Sequence, residues 1–154
     1  YHLNNDLTEE KFNETLLKNM KNSLRSIYGA AAEVFGMLLK VKKQKNQSVD
    51  RLVEQLSYLL KYHGNQNVLD SYVTCIYSIQ KHYPEIVDRT VMNKLIFGMK
   101  KFYGDLKMEC LEAMIPNIRH FDQIFLELRA SGIFDILLHK DFSIRSVALR
   151  LIYQ

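Results

Sequence analysis

The chain has 154 residues, of which 47% are hydrophobic and 25% are charged. This apolar content excludes a disordered tail, and the length suffices to bury a core. The formal net charge of +4 is mild and evenly spread, so charge by itself does not indicate nucleic-acid binding. Cys75 and Cys110 are too few for a disulfide framework and lack CxxC spacing. They favour buried, reduced thiols in an intracellular protein.

Residues 8–42 predict a first pair of helices. Apolar residues at helical spacing between Phe12 and Leu24 indicate one helix, and a second runs from Ile27 to Lys42. The second helix contains the stretch IYGAAAEVFGMLL, in which small side chains such as Ala31 allow a neighbouring helix to approach. The two helices are therefore expected to pair.

Three more helix pairs are predicted over residues 48–82, 85–116 and 122–154. Asn67 and Asp105 open equivalent helices in successive pairs. A repeat of about 40 residues built from two helices is typical of HEAT and armadillo arrays. Glycine or proline follows several of the predicted helices, at Gly64, Pro84, Gly104, Pro116 and Gly132.

The last predicted helix carries the clearest repeat pattern. Asp141 or Ser143 can cap its first N–H groups. No further repeat follows, so its apolar stripe is expected to leave an exposed edge that favours self-association. The stripe resembles the second helix of a HEAT repeat and consists of Ile144, Val147, Ala148, Leu151 and Ile152.

Together these elements predict an all-α fold, an α-solenoid of about four HEAT-like helix pairs that forms one segment over residues 1–154. The segment is expected to be a fragment of a larger superhelical array, because arrays need polar capping repeats. Such arrays bind and scaffold more often than they catalyse. Aromatic residues on the stripes, such as Tyr72 and Phe102, are expected in the core. Further core predictions are Leu56, Val73, Leu95, Leu111, Phe125 and Val147.

No pattern of a catalytic or metal site occurs in the sequence. GxSxG, P-loop and protein-kinase motifs are missing, and the five histidines form neither HxxxH nor HExxH. We therefore predict no catalytic, cofactor-binding or metal-binding residue and no small-molecule substrate. Because no run of 18 apolar residues occurs, we predict no membrane contact either, which leaves protein partners. The histidines are His2, His63, His82, His120 and His139.

The only dense basic cluster consists of Lys40, Lys42, Lys43 and Lys45, which we call the lysine turn. Two interpretations remain open. Cations at a helix C-terminus complement the helix dipole, so the cluster can be a solvated connection. The alternative is contact with the phosphates of DNA. A weaker cluster of Lys100, Lys101 and Lys107 surrounds Gly104.

The order of several sequence pieces resembles the middle HEAT-repeat region of the phosphatidylinositol-3-kinase-related kinase family. No single piece is specific, whereas the ordered set with its spacings is. The likeness runs from about Ile27 to Tyr153. The pieces are Tyr28–Lys40, Lys101–Lys107, Cys110–Glu112, Phe125–Leu128 and Leu149–Tyr153.

This resemblance implies a nuclear protein that joins the Ku heterodimer on broken DNA ends. It also implies phosphorylation of Ser and Thr during non-homologous end joining, by a kinase domain far C-terminal to this region. The chain would then be a non-catalytic part of a ring-shaped scaffold. The sequence contains no Ser-Gln or Thr-Gln, the favoured autophosphorylation motif of that family. No family catalytic residue has a matching position, so none is carried over.

Two other functions remain open from the sequence. One is a HEAT or armadillo adaptor unrelated to DNA repair, whose concave face would bind a peptide or an acidic partner. The other is a solenoid that binds nucleic acid directly. Kinase motifs in a longer reading frame would distinguish the first alternative, and salt-dependent DNA binding would distinguish the second.

Overall fold

A computed structural model describes the backbone of residues 2–61 and 68–154 and the side chains of residues 7–61 and 69–154. Within these residues all regular structure is helical, with nine α-helices, two 3₁₀-helices and no strand. The predicted all-α fold is confirmed, and its paired helices are of the α-solenoid kind. The described helices fall into two compact units, residues 1–83 and 84–154. The prediction of one continuous array over four pairs stays a prediction.

The first unit is built around one long central helix. It contains α1 (His2–Asn19), α2 (Arg25–Gln44), α3 (Asp50–Lys61) and α4 (Val68–Gln80). Helix α2 packs against α1 and, most extensively, against α4. Gly36 of α2 lies against the backbone of Ile79, and a Cβ at Gly36 would be 2.7 Å from the Ile79 carbonyl oxygen. The absence of a side chain at Gly36 is therefore what allows the two helices to cross so closely.

In the second unit two helices pack against each other, and a third helix packs against one of them. It contains α5 (Arg89–Lys101), α6 (Gly104–Met114), α7 (Ile124–Ala130), α8 (Ile133–Ile136) and α9 (Phe142–Ile152). Short 3₁₀-helices lie at Pro84–Ile86 and Ile115–His120. Helix α6 packs against both α5 and α9, so it forms the centre of this unit. Arg89 of α5 also forms an ion pair with Glu127 of α7.

Most of the helix caps and core residues predicted from the sequence are present in the structure. The Asp141 carboxylate accepts a 2.8 Å hydrogen bond from the Ser143 N–H and so begins α9. The third pair begins later than predicted, because Pro84–Ile86 forms a 3₁₀ turn and Asp88 caps α5 instead. The predicted signals at Gly64 and Asn67 lie outside the described residues. The confirmed core residues are Leu56, Val73, Leu95, Leu111 and Val147, together with Tyr72 and Phe102.

One core prediction is wrong, and so is the expected exposure of the α9 stripe. Phe125 is 46% exposed, because Ile124 and Leu128, four residues apart, take the inward positions of the short helix α7. The α9 stripe is not an open edge either, since it packs on α6 and Ile144 and Leu151 are buried. The physical basis of the predicted self-association is therefore absent from that stripe.

Candidate functional site

The lysine turn lies at the C-terminal end of α2, as predicted, but it does not form one open basic surface. The Lys42 Nζ lies 2.5 Å from the Glu9 carboxylate of α1. The Lys43 ammonium lies over the Tyr83 ring, 5.7 Å from its centre. Lys40 and Lys45 are exposed, and within the described part of the chain neither has an ion-pair partner. Two of the four lysines are thus left for contacts with another molecule.

The weaker basic cluster is divided between surface and interior. Lys100 and Lys101 are exposed, whereas only 7% of Lys107 is accessible. The Lys107 ammonium donates to the carbonyl oxygens of Met99, at 2.6 Å, and Phe102, at 3.3 Å. Burial lowers the pKa of Lys107, although the nearby Cys110 opposes that shift. Lys107 therefore caps the C-terminal end of α5 rather than adding to a surface charge.

Both cysteines are buried free thiols, as predicted from their positions on the helical stripes. Burial, with the negative charge of Glu109, raises the pKa of Cys110 to about 12. A thiol with such a pKa stays protonated at neutral pH and is a poor nucleophile. Cys110 thus serves packing between α5 and α6, where a Cβ at Gly98 would be 2.7 Å from its sulfur.

Two of the described histidines, His82 and His139, make local structural contacts. His82 Nε2 lies 3.2 Å from the Glu33 carboxylate, and His139 Nδ1 accepts a 2.9 Å hydrogen bond from the Asp141 N–H. In the part of the chain that the structure describes, no three His, Cys, Asp or Glu residues are placed to hold a metal ion. The side chains of His2 and His63 lie outside the described residues.

A groove in the first unit was not predicted from the sequence. It encloses about 490 Å³ and is lined by α1, α3, the end of α2 and the turn at Ser48. Glu9 of α1 pairs with Lys42, and Glu10 lies 3.3 Å from the Arg51 guanidinium of α3. The lining residues come from three separate helices. Because these helices are distant along the chain, no local sequence pattern marks the groove.

The paired helices place the chain in the class of helical-repeat modules. Within the described residues, no helix combines the length and apolar character that a membrane span requires. The sequence matches the family described as DNA-PKcs, CC5 over residues 1–154, and the chain belongs to that family. This confirms the resemblance drawn from the sequence and extends it to the first 26 residues.

Individual relatives agree with the family match. The chain is 30% identical over its whole length to a mouse protein named DNA-dependent protein kinase catalytic subunit. It is 31% identical over 94% of its length to the dog protein of the same name, and 27% identical over its whole length to the chicken protein. The chain spans 4% of the length of each of these relatives. It therefore corresponds to a small segment of a very large protein.

Proposed function

We propose that the chain is a non-catalytic helical scaffold segment of a protein that resembles the DNA-dependent protein kinase catalytic subunit. The parent protein would be a nuclear Ser/Thr kinase of double-strand break repair by non-homologous end joining. Its partners would be the Ku heterodimer and DNA ends. The main support is the family match over residues 1–154 in a chain that spans 4% of its curated relatives.

The reactive groups of the second unit support a scaffold role. The Lys107 ammonium donates its hydrogen bonds to the carbonyl groups that end α5. Cys110 is buried with a raised pKa, which keeps it protonated. Both groups are buried where α5 packs against α6.

We expect the chain alone to transfer no phosphate from radiolabelled ATP to a Ser-containing protein substrate. In the longer protein, Leu111→Ala should reduce recruitment to DNA ends without changing KM for ATP. Leu111 is fully buried in α6, so its truncation should cost about 2–5 kcal/mol of unfolding free energy. A local loss of that size disturbs the scaffold and leaves a distant nucleotide site intact.

The matched control is Leu126→Ala on α7, because Leu126 is exposed and its truncation should change neither stability nor recruitment. Phosphotransfer by the chain alone that a point substitution within it abolishes would contradict the proposal. So would a changed KM for ATP in the Leu111→Ala protein that the Leu126→Ala protein does not share.

We further propose that any contact between the lysine turn and DNA is made by Lys40 and Lys45, because Lys42 is paired with Glu9. Two phosphate contacts predict a slope of about −1.8 in a plot of log affinity against log salt. Replacing both lysines with Ala should bring the slope near zero. Fluorescence anisotropy with a labelled DNA duplex at several salt concentrations measures it.

The matched control for this experiment is the double replacement of Lys18 and Lys21, which are exposed near the end of α1 and remove the same charge. It should leave the slope unchanged. Equal slopes for the wild-type chain and the Lys40→Ala, Lys45→Ala chain would show that the lysine turn does not contact DNA and is a solvated connection. A loss of slope on replacing Lys42 alone would contradict its assignment to the ion pair.

A further inference from the structure

Helix α9 carries apolar side chains on two opposite faces. Its inner face packs on α6, and Ile144 and Leu151 are buried there. Its outer face carries three large apolar side chains that are 73%, 47% and 78% exposed, which we call the outer stripe. A helix that is apolar on all sides is normally covered on all sides. The outer stripe consists of Phe142, Leu149 and Tyr153.

The three side chains of the outer stripe fall on one line along the helix. Leu149 follows Phe142 by about two turns, and Tyr153 follows Leu149 by about one turn. The Tyr153 N–H donates to the Leu149 carbonyl oxygen at 3.1 Å, so the course of the helix continues to Tyr153. Single exposed apolar residues are common on protein surfaces, whereas a contiguous apolar surface marks a site of interaction.

Positive charge flanks the outer stripe on both sides. Arg145 lies on one side and Arg150 on the other, because positions along a helix advance by about 100° per residue. The Arg145 guanidinium lies 5.7 Å from the centre of the Phe142 ring and donates to the His139 carbonyl oxygen at 2.6 Å. Helix α9 contains no Asp or Glu. Aromatic and arginine side chains around an apolar centre are typical of a protein interface.

We propose that the outer stripe binds an amphipathic helix whose own apolar stripe is flanked by Asp or Glu, and that this helix belongs to the longer protein of which the chain is a segment. The chain spans 4% of the length of its curated relatives, so most of such a protein lies outside it. In helical-repeat proteins each repeat packs against its neighbours. The acidic flanks follow from the charges of Arg145 and Arg150. This proposal rests on the scaffold role and adds the surface by which the segment is held.

Maleimide labelling of Leu149→Cys tests the proposal in the chain alone and in the longer protein. The natural cysteines Cys75 and Cys110 are buried, and buried thiols react slowly. In the chain alone the introduced thiol should be labelled rapidly, because position 149 is exposed. In the longer protein labelling should be at least about tenfold slower, because the thiol reacts only when the covering helix moves away. Mass spectrometry of the labelled peptide measures the rate at this position.

Arg129→Cys is the matched control, because Arg129 is exposed on α7 and is not part of the outer stripe. It should be labelled at the same rate in both proteins. A second substitution tests the flanking charge. Arg150→Glu, combined with Leu149→Cys, should restore rapid labelling in the longer protein, because the new carboxylate repels the acidic flank. Arg129→Glu makes the same charge change away from the stripe and should leave labelling slow. Circular dichroism of each variant checks that the helices remain.

Equally rapid labelling of Leu149→Cys in both proteins would overturn the proposal, because the outer stripe would then be open in the longer protein. Equal slowing of Leu149→Cys and Arg129→Cys would overturn it too, since the whole unit would then be shielded. Protection of the chain alone that rises with its concentration would assign the stripe to a second copy. Slow labelling that Arg150→Glu does not change would contradict the acidic flanks. None of these results touches the tests of phosphotransfer and of recruitment to DNA ends, so the scaffold role is judged separately.

Discussion

Gly36→Ala should lower the free energy of unfolding of the first unit by about 1–3 kcal/mol, as overpacking in a tight core does. The added Cβ would lie 2.7 Å from the Ile79 carbonyl oxygen and 2.9 Å from the Ile79 Cα. These are backbone atoms, so α4 would have to move away from α2. Alanine is intrinsically the better helix former by about 1 kcal/mol, and the steric cost must exceed that gain. Urea denaturation followed by circular dichroism measures the difference.

Gly29→Ala is the matched control in the same helix. The nearest atom to a Cβ at Gly29 is the Thr74 Cγ2, at 3.7 Å, which is ordinary van der Waals contact. Only the propensity term remains there, so this variant should gain up to about 1 kcal/mol. Opposite signs for the two alanines would confirm the close crossing of α2 and α4. A stabilising Gly36→Ala would show that the helices lie farther apart.

Lys107→Met should cost the second unit about 1–3 kcal/mol, the penalty for leaving buried polar groups unpaired. The methionine keeps the apolar stem but removes the donor to the carbonyl oxygens of Met99 and Phe102. Those carbonyls end α5, where the helix dipole also favours a positive charge. The loss should appear as a lower urea midpoint with an unchanged slope, because a local cap is lost and the fold stays the same.

Lys100→Met is the control for this substitution. Lys100 lies in the last turn of α5 with its side chain exposed, so replacing it removes the same charge without unpairing a buried group. Its expected effect lies within about 0.5 kcal/mol, as for most surface changes. If both variants lost equal stability, the contribution of Lys107 would be its charge near the helix end and not its hydrogen bonds.

Features that depend on residues close together along the chain agree best between sequence and structure. A helix repeats every 3.6 residues, so apolar spacing identifies both the helix and the face that turns inward. The predicted burial of Leu95 and Val147 and the predicted cap at Asp141 are confirmed for this reason. The same reasoning failed for Phe125, because a helix of seven residues has room for few inward positions and two aliphatic neighbours occupy them.

Less of the candidate site than of the fold could be predicted from the sequence. The lysine turn lies at the predicted end of α2, but two of its lysines contact groups that are distant in sequence. Lys42 pairs with Glu9, and Lys43 lies over the Tyr83 ring. Nothing near Lys42 along the chain marks it as a paired residue. The groove was missed for the same reason, since its walls come from α1 and α3. A groove exists only after the two helices have been placed side by side.

The helical character of the chain, the positions of most helices and the apolar stripes that they bury follow from the sequence, because these properties depend on neighbours along the chain. Its ordered pieces also sufficed to indicate the family. The three-dimensional packing is needed to show that Gly36 touches the backbone of α4, that Lys107 caps α5 from inside, and that Lys42 pairs with Glu9 of α1. Periodicity tells which face of a helix turns inward, and it does not tell what that face meets.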